Sequence, residues 1–261
     1  MTFLQAVLLG VVEGVSEFLP ISSTAHLILA SSLLRIQQTE FLKTFEIAIQ
    51  SGAILSVVVL YARAFARRFD VWAKIIVAFI PTGVLGFLLH GVVKRHLLGN
   101  VPVVLWALFL GGLALIVFER FHREKEDAAS EIEDISYGRA LLIGVFQALA
   151  MVPGVSRSAA TITGGLLLGI RRKTIVDFSF LLAVPTMAAA TGYDLLKSAG
   201  TFQASDLHLL AAGFITSFVV ALLSIVWLLR FIRRHSFVPF GVYRIALAGV
   251  FLALLFAGLL S

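Results

Sequence analysis

Six stretches of this 261-residue chain are apolar almost without interruption: Phe45–Tyr61, Val71–Gly91, Val101–Phe118, Ile175–Leu195, Leu207–Phe231 and Gly241–Leu260. Each is close to the roughly 20 residues a helix needs to cross a hydrocarbon core of ~30 Å. Only 14% of residues are charged, 59% are hydrophobic and the mean hydropathy is +1.00. A soluble domain runs near half apolar and a quarter charged, so the expected class is an all-α polytopic membrane protein. With no cysteine, disulfides and thiolate metal sites are excluded. The formal charge of +6 does not point to nucleic acid, because the basic residues gather at the ends of apolar runs, where they report topology. No Lys or Arg precedes Arg35, so the first apolar run does not read as a cleavable signal.

Two further regions, Thr2–Leu34 and Tyr137–Ile170, are about 33 residues long and carry a proline and a polar cluster near the middle. Each is either one broken span or a hairpin that returns to its starting face, and the basic residues discriminate. With two hairpins, Arg35, Lys43, Lys94, Arg95 and Lys197 fall on one face. Arg63, Arg67, Arg68, Lys74, Arg120, Arg123, Lys125, Arg139, Arg171, Arg172, Lys173, Arg230, Arg233, Arg234 and Arg244 fall on the other. Two single spans would instead split these residues nine to eleven, which is no bias. The hairpin arrangement is therefore expected, with the basic face cytoplasmic and both termini outside. Short arms joined by a polar break suit re-entrant hairpins, since irregular backbone at membrane depth must be buried in protein or line a wet cavity.

The two hairpins resemble each other. Ala6, Leu8, Gly10 and Glu13 match Ala140, Leu142, Gly144 and Gln147 at an offset of 134, and Pro20 and Ser23 match Pro153 and Ser156 at 133. The expected organisation is a first repeat over 1–118, a charged, solvated cytoplasmic linker over 119–136 and a second repeat over 137–261. Each repeat holds one re-entrant hairpin, at 2–34 and 137–170, and three spans. Three crossings are odd, so the second repeat enters from the opposite face. Such inverted repeats build their sites where broken helices meet near the midplane.

The breaks carry the chemistry. Glu13 and Glu17 lie one turn apart on one helix face, where two carboxylates repel unless a proton or cation sits between them. Oxygen ligands of this kind suit Mg²⁺ or Ca²⁺, completed by water and phosphate oxygens; the alternative is one protonated carboxylate and one paired with an arginine. After Pro20 come Ser22, Ser23 and Thr24, any of which can cap the next helix, and then His26, one turn from Ser23. That set suits an acid, base or nucleophile. In the second break, PGVSRSAAT places Ser156, Arg157, Ser158 and Thr161 at a helix start. A helix N-terminus is an anion site, and Arg157 supplies a planar fork for phosphate oxygens or, alternatively, a buried ion pair with Glu13 or Glu17. No GxxxxGK[ST] is present, so nucleotide hydrolysis is not expected. Glu46 and Gln50 lie four apart near the start of a span, where they can hydrogen-bond the first hairpin or simply face headgroups. Together these groups suit a phosphate ester or diphosphate whose greasy tail stays in lipid.

EGVSEFLPISSTAH at the first break and PGVSRSAAT at the second resemble the signature pair of the undecaprenyl-diphosphatase family, the bacitracin-resistance type of integral-membrane phosphatase. The resemblance runs along the whole chain and includes FEIAIQSGAIL at Phe45–Leu55. It implies hydrolysis of a C55 polyprenyl diphosphate to the monophosphate and inorganic phosphate, recycling the lipid carrier of cell-wall synthesis. It also implies a bacterial cytoplasmic membrane, a site open to the outer, periplasmic face, and a requirement for Mg²⁺ or Ca²⁺. By motif position, Glu13 and Glu17 are the cation-holding pair, Glu17, Ser23, His26 and Arg157 the catalytic set, and Thr24, Ser156, Arg157, Ser158 and Thr161 the diphosphate-binding groups. Ser23 is expected to attack with His26 as its base. Attack by His26, or by water that it activates, stays open. Two positions depart from the family pattern, Ala25 and Ala159, where glycine is usual; a methyl there narrows the approach to backbone but removes no reacting group. The oligomeric state is left open, a homodimer included. A rival from another class is a transporter or flippase of a polyprenyl phosphate, which would need the pocket but no nucleophile.

Overall fold

The computed structural model describes residues 1–37, 39–62, 69–93, 97, 100–198 and 206–257. Arg63, Arg67, Arg68, Lys94 and Arg95, which entered the charge count, lie outside the described residues, as does the side chain of Lys197. The helices are α1 (Phe3–Ser16), α2 (Ser23–Leu33), α3 (Glu40–Leu60), α4 (Phe69–Val92), α5 (Val101–Phe121), α6 (Tyr137–Ala148), α7 (Arg157–Leu167), α8 (Arg172–Ser198), α9 (Leu207–Phe231) and α10 (Val238–Phe256). Short 3₁₀ turns occur at Ile132–Asp134 and Leu149–Met151. Six of these helices, α3, α4, α5, α8, α9 and α10, are long and apolar enough to cross a membrane. They coincide with the six apolar runs, and the protein is an all-helical, polytopic membrane protein.

The remaining four helices form two broken pairs. In the first, α1 starts on a Thr2/Gln5 capping box, a reciprocal arrangement that satisfies otherwise orphaned N–H groups. It stops at Glu17, five residues before α2 is entered at Ser22. Ser22 has φ 72° and ψ 94° and its side chain makes no capping hydrogen bond, so capping does not account for the serines here. The second pair behaves as a capped helix start should: the Ser156 hydroxyl accepts from Ala159 N at 3.2 Å. The preceding Gly154 has φ +96°, a left-handed conformation that glycine adopts without steric cost.

Glycines set the packing of the short helices. α1 lies against α9 and α3, and α6 lies against α4. A Cβ on Gly10 would meet Gly213 O at 2.7 Å, and one on Gly14 would meet Ser217 O at 2.7 Å. On α6, a Cβ at Gly144 would meet Ala78 O at 2.0 Å. Small residues that let helix backbones touch are the usual means of association where lipid removes the hydrophobic drive.

One end of the bundle is tied by polar contacts. Lys74 Nζ reaches Asp70 Oδ2 at 2.6 Å and Glu133 O at 2.7 Å, Tyr61 donates to Asp177 at 2.6 Å, and Arg172 grips the buried Glu119 carboxylate. The segment expected as a solvated linker is therefore partly packed: Ala128 and Ala129 are buried, and Ala129 exchanges backbone hydrogen bonds with Gly169 and Arg171 at 3.0 and 2.9 Å. A second correction concerns Arg244, which the charge count assigned to the basic face. It sits well inside α10 and is 1% exposed. The count failed there because it took every arginine as a surface charge. The bias survives its removal.

Candidate active site

Leaving α1, the chain must place carbonyls 17–22 somewhere, and a buried carbonyl without a donor is costly. Phe18, Leu19 and Ile21 are all buried, so water is not the partner. Leu19 O and Ser22 O find donors locally, in Ile21 N and His26 N, and further donors come from the other half of the sequence. Ser158 Oγ donates to Phe18 O at 2.8 Å, Ser156 Oγ to Leu19 O at 3.5 Å, and Arg244 Nη1 to Pro20 O at 3.3 Å. The second break is held by the same arginine, whose Nη2 donates to Gly154 O at 3.1 Å and Ala107 O at 3.2 Å, while Nε donates to Leu108 O at 3.3 Å. Arg244 thus joins both breaks to α5, without a carboxylate partner among the described residues. A Cβ at Gly111 would come within 2.1 Å of Arg244 Nη2, so the glycine makes room for the guanidinium.

With the breaks fixed, the charged groups meet between them. Glu17, at the end of α1, is 6% exposed. Its Oε1 accepts from Arg157 Nη2 at 2.9 Å, and its Oε2 accepts from Ser23 Oγ at 2.5 Å. Arg157 also donates through Nη1 to Ser179 O at 2.9 Å and lies over the Phe18 ring, 5.8 Å from its centroid. Of the two arrangements left open for Arg157, the buried ion pair is the one present. Arg157 Nε is buried with no hydrogen-bond partner among the described residues, and no donor there reaches either buried oxygen of Glu13, whose carboxyl lies within hydrogen-bond reach of the Glu17 carboxyl. The charged groups acting on Glu13 are Glu17, Glu46 and Arg157. The site therefore keeps a carboxyl pair with room for a shared proton or cation and an unpartnered guanidinium N–H.

The other expected site residues divide by what their polar atoms already do. Ser156 caps α7 and Ser158 supports the first break, as above. Thr161 Oγ1 lies 3.0 Å from Arg157 O and 2.6 Å from Ser179 Oγ, which fixes the turn carrying Arg157. These three hydroxyls are spent within the protein. Thr24 and Gln50 are half-buried, as is Glu46. His26 does not pair with Ser23. Its Nδ1 faces Ser22 O at 2.7 Å and its Nε2 faces Tyr243 Oη at 2.8 Å, whereas the Ser23 proton is directed to Glu17. The expected serine–histidine pairing is replaced here by a serine–glutamate pairing. Sequence reasoning counted Arg244 only as a surface charge and did not single out Tyr243. The available signal was an arginine well inside an apolar run, which by intramembrane cost alone marks a functional residue.

An apolar groove of about 530 Å³, lined by α5 from Asn100 to Gly111 together with Val152 and Val155, ends beside the second break. Among the described residues no three His, Asp or Glu side chains converge to form a metal cage.

The model of the bacitracin resistance protein BacA family matches residues 6–250. The chain belongs to that family. Curated relatives agree along nearly their full length. The chain is 52% identical to an undecaprenyl-diphosphatase of Aquifex aeolicus, over 97% of this chain and 98% of that protein. It is 55% identical to an undecaprenyl-diphosphatase of Sulfurihydrogenibium, over 95% and 97%, and 49% identical to one of Thermus thermophilus, over 95% of each. The family's match spans both breaks, so the contacts between Glu17, Ser23 and Arg157 lie within the matched region.

Proposed function

We infer that this chain is an undecaprenyl-diphosphatase, hydrolysing the C55 diphosphate to undecaprenyl phosphate and inorganic phosphate and so recycling the cell-wall lipid carrier. The observation that carries the reading is the buried meeting of Glu17, Ser23 and Arg157 between two helix breaks, in a chain whose full-length relatives bear that name. In the proposed mechanism the diphosphate draws Arg157 away from Glu17, with the free Nε contributing a further donor, and Glu17 is left to accept the Ser23 proton. Ser23 Oγ then bonds to the terminal phosphorus as the bridging P–O bond breaks, and undecaprenyl phosphate leaves. Water attacks the phosphoserine and gives its proton to His26 Nε2, while Glu17 returns its proton to the departing Ser23. The Glu13 oxygens, which no donor reaches among the described residues, fit a hard divalent cation, Mg²⁺ or Ca²⁺, with Glu17 beside them and phosphate and water oxygens completing the shell. When bound, such a cation offsets charge on the transferring phosphoryl group.

The broken pairs read as re-entrant hairpins, and the two halves as an inverted repeat over 1–118 and 137–261 joined by 119–136. Supporting this, the matched glycines Gly10 and Gly144 both allow close approach to a long helix of the other half. The basic residues put the tied, polar end of the bundle in the cytoplasm. Both termini and the mouth of the site would then face the outside of the bacterial cytoplasmic membrane. Purified protein given the C55 diphosphate should release phosphate, and Ser23→Ala and Glu17→Gln should abolish release while retaining lipid binding. Phosphoserine should accumulate in His26→Ala. Wild-type turnover by Ser23→Ala and Glu17→Gln would overturn the mechanism, and lipid movement without phosphate release would assign the chain to the transporters.

A further inference from the structure

His26 is held by two atoms of different character, and the difference fixes its tautomer. The Ser22 carbonyl oxygen, 2.7 Å from Nδ1, can only accept, so Nδ1 carries the hydrogen. In the neutral imidazole Nε2 is then the nitrogen with the lone pair, and the atom 2.8 Å from it is the Tyr243 hydroxyl, which donates to it. The two rings are stacked, with centroids 5.5 Å apart and planes within 10°. Tyr243 is 43% exposed, which puts it at the rim of the site. Its neighbour Arg244 is anchored to the carbonyls of both breaks. α10 is thereby fixed in register with the first break, and the phenol is set against the imidazole by the adjacent residue.

We propose that Tyr243 is the positioning residue of His26, its hydroxyl and ring together holding the imidazole with Nε2 as the unprotonated nitrogen facing the rim. The proposal rests on the reading of His26 as the proton acceptor of the hydrolytic step. It assigns to the last helix a part in the chemistry that Ser22, on the first break, begins. Nε2 has one lone pair, so the attacking water takes the place of the hydroxyl there during turnover; until then Tyr243 keeps the ring oriented with that lone pair at the rim, and without the hydroxyl the ring loses one of its two hydrogen bonds and that orientation.

The test uses the full-length protein in detergent and the variant Tyr243→Phe, which keeps the ring and removes the hydroxyl. Diethyl pyrocarbonate acylates an available imidazole nitrogen, and the modified residues can be mapped by mass spectrometry with His208 and His235 as internal controls. His26 should react about five to ten times faster in Tyr243→Phe than in the wild type, the scale of one lost neutral hydrogen bond, with the controls unchanged. Turnover number should fall by a similar factor with KM unaltered. Equal acylation of His26 in both proteins would overturn the proposal. A raised KM with unchanged turnover would overturn it too, because Tyr243 would then be holding substrate. His26→Gln separates the two levels of inference: full activity in that variant refutes the role of His26, while the acylation rates still report whether Tyr243 holds its nitrogen.

Discussion

Replacing Arg244 by methionine keeps the length and apolar stem of the side chain and removes all five of its N–H donors. The four carbonyls it serves are not equivalent. Leu108 and Ala107 lie inside α5, where the helix ladder provides for their oxygens. Pro20 and Gly154 lie in the breaks, and neither receives a backbone hydrogen bond among the described residues. The variant therefore orphans two buried carbonyls, each at a cost of about 1–3 kcal/mol, for about 2–6 kcal/mol together. Loss of a buried charge with no carboxylate partner among the described residues offsets part of this, since its burial was itself unfavourable. The expected result in detergent is a clearly lowered melting temperature. Phosphate release should also fall at temperatures where the fold persists, because both breaks carry site residues. Arg244→Lys, with one point of charge for two breaks, should fall between. A methionine variant that melts and turns over like the wild type would refute the argument that this side chain holds the breaks together.

Chelation should abolish phosphate release, with recovery on adding Mg²⁺ or Ca²⁺, and Glu13→Gln should raise the concentration of cation needed for half-maximal rate; a metal response unchanged in Glu13→Gln would move the cation elsewhere. Gly14→Ala should destabilise the fold by about 1–3 kcal/mol, the range for overpacking, because its Cβ would stand 2.7 Å from Ser217 O, 2.8 Å from Val220 Cβ and 2.9 Å from Ala221 N. Thermal melts of the variant read this directly, and an unchanged melting temperature would show that α1 and α9 separate freely.

Hydropathy was enough to locate the six long helices, since length and apolarity are properties of single segments. The meeting of Glu17 with Arg157 was also legible, because an isolated carboxylate and an isolated guanidinium at membrane depth each need a partner. The hydrogen bonds of the hydroxyls were not legible, for a physical reason. Ser156 and Ser158 look like anion ligands beside an arginine, yet their acceptors are the carbonyls of Leu19 and Phe18, and a carbonyl leaves no trace in the identity of its residue. Ser23 was paired with His26 because helical spacing puts them one turn apart. Spacing does not report that the chain enters α2 through Ser22 at positive φ, a geometry in which Ser23 is bonded to Glu17 and His26 to Ser22 and Tyr243. Arg244 and Tyr243 lie more than 200 positions from Pro20 and His26, at separations of 224 and 217. No local pattern reaches that far.

The donors for carbonyls 18–20 have a consequence for biogenesis. A ribosome delivers the first hairpin long before Ser156 and Ser158 exist, and Arg244 arrives only with the final helix. Until then the oxygens of Phe18 and Pro20 have no protein donor, Leu19 O alone being met locally by Ile21 N, and a nascent chain at that stage must keep its first elbow near water or the insertion machinery. Competence is acquired at the end of synthesis, when α10 is threaded, and a chain stopped before it would carry every acidic and hydroxyl group of the centre without the clasp that sets them.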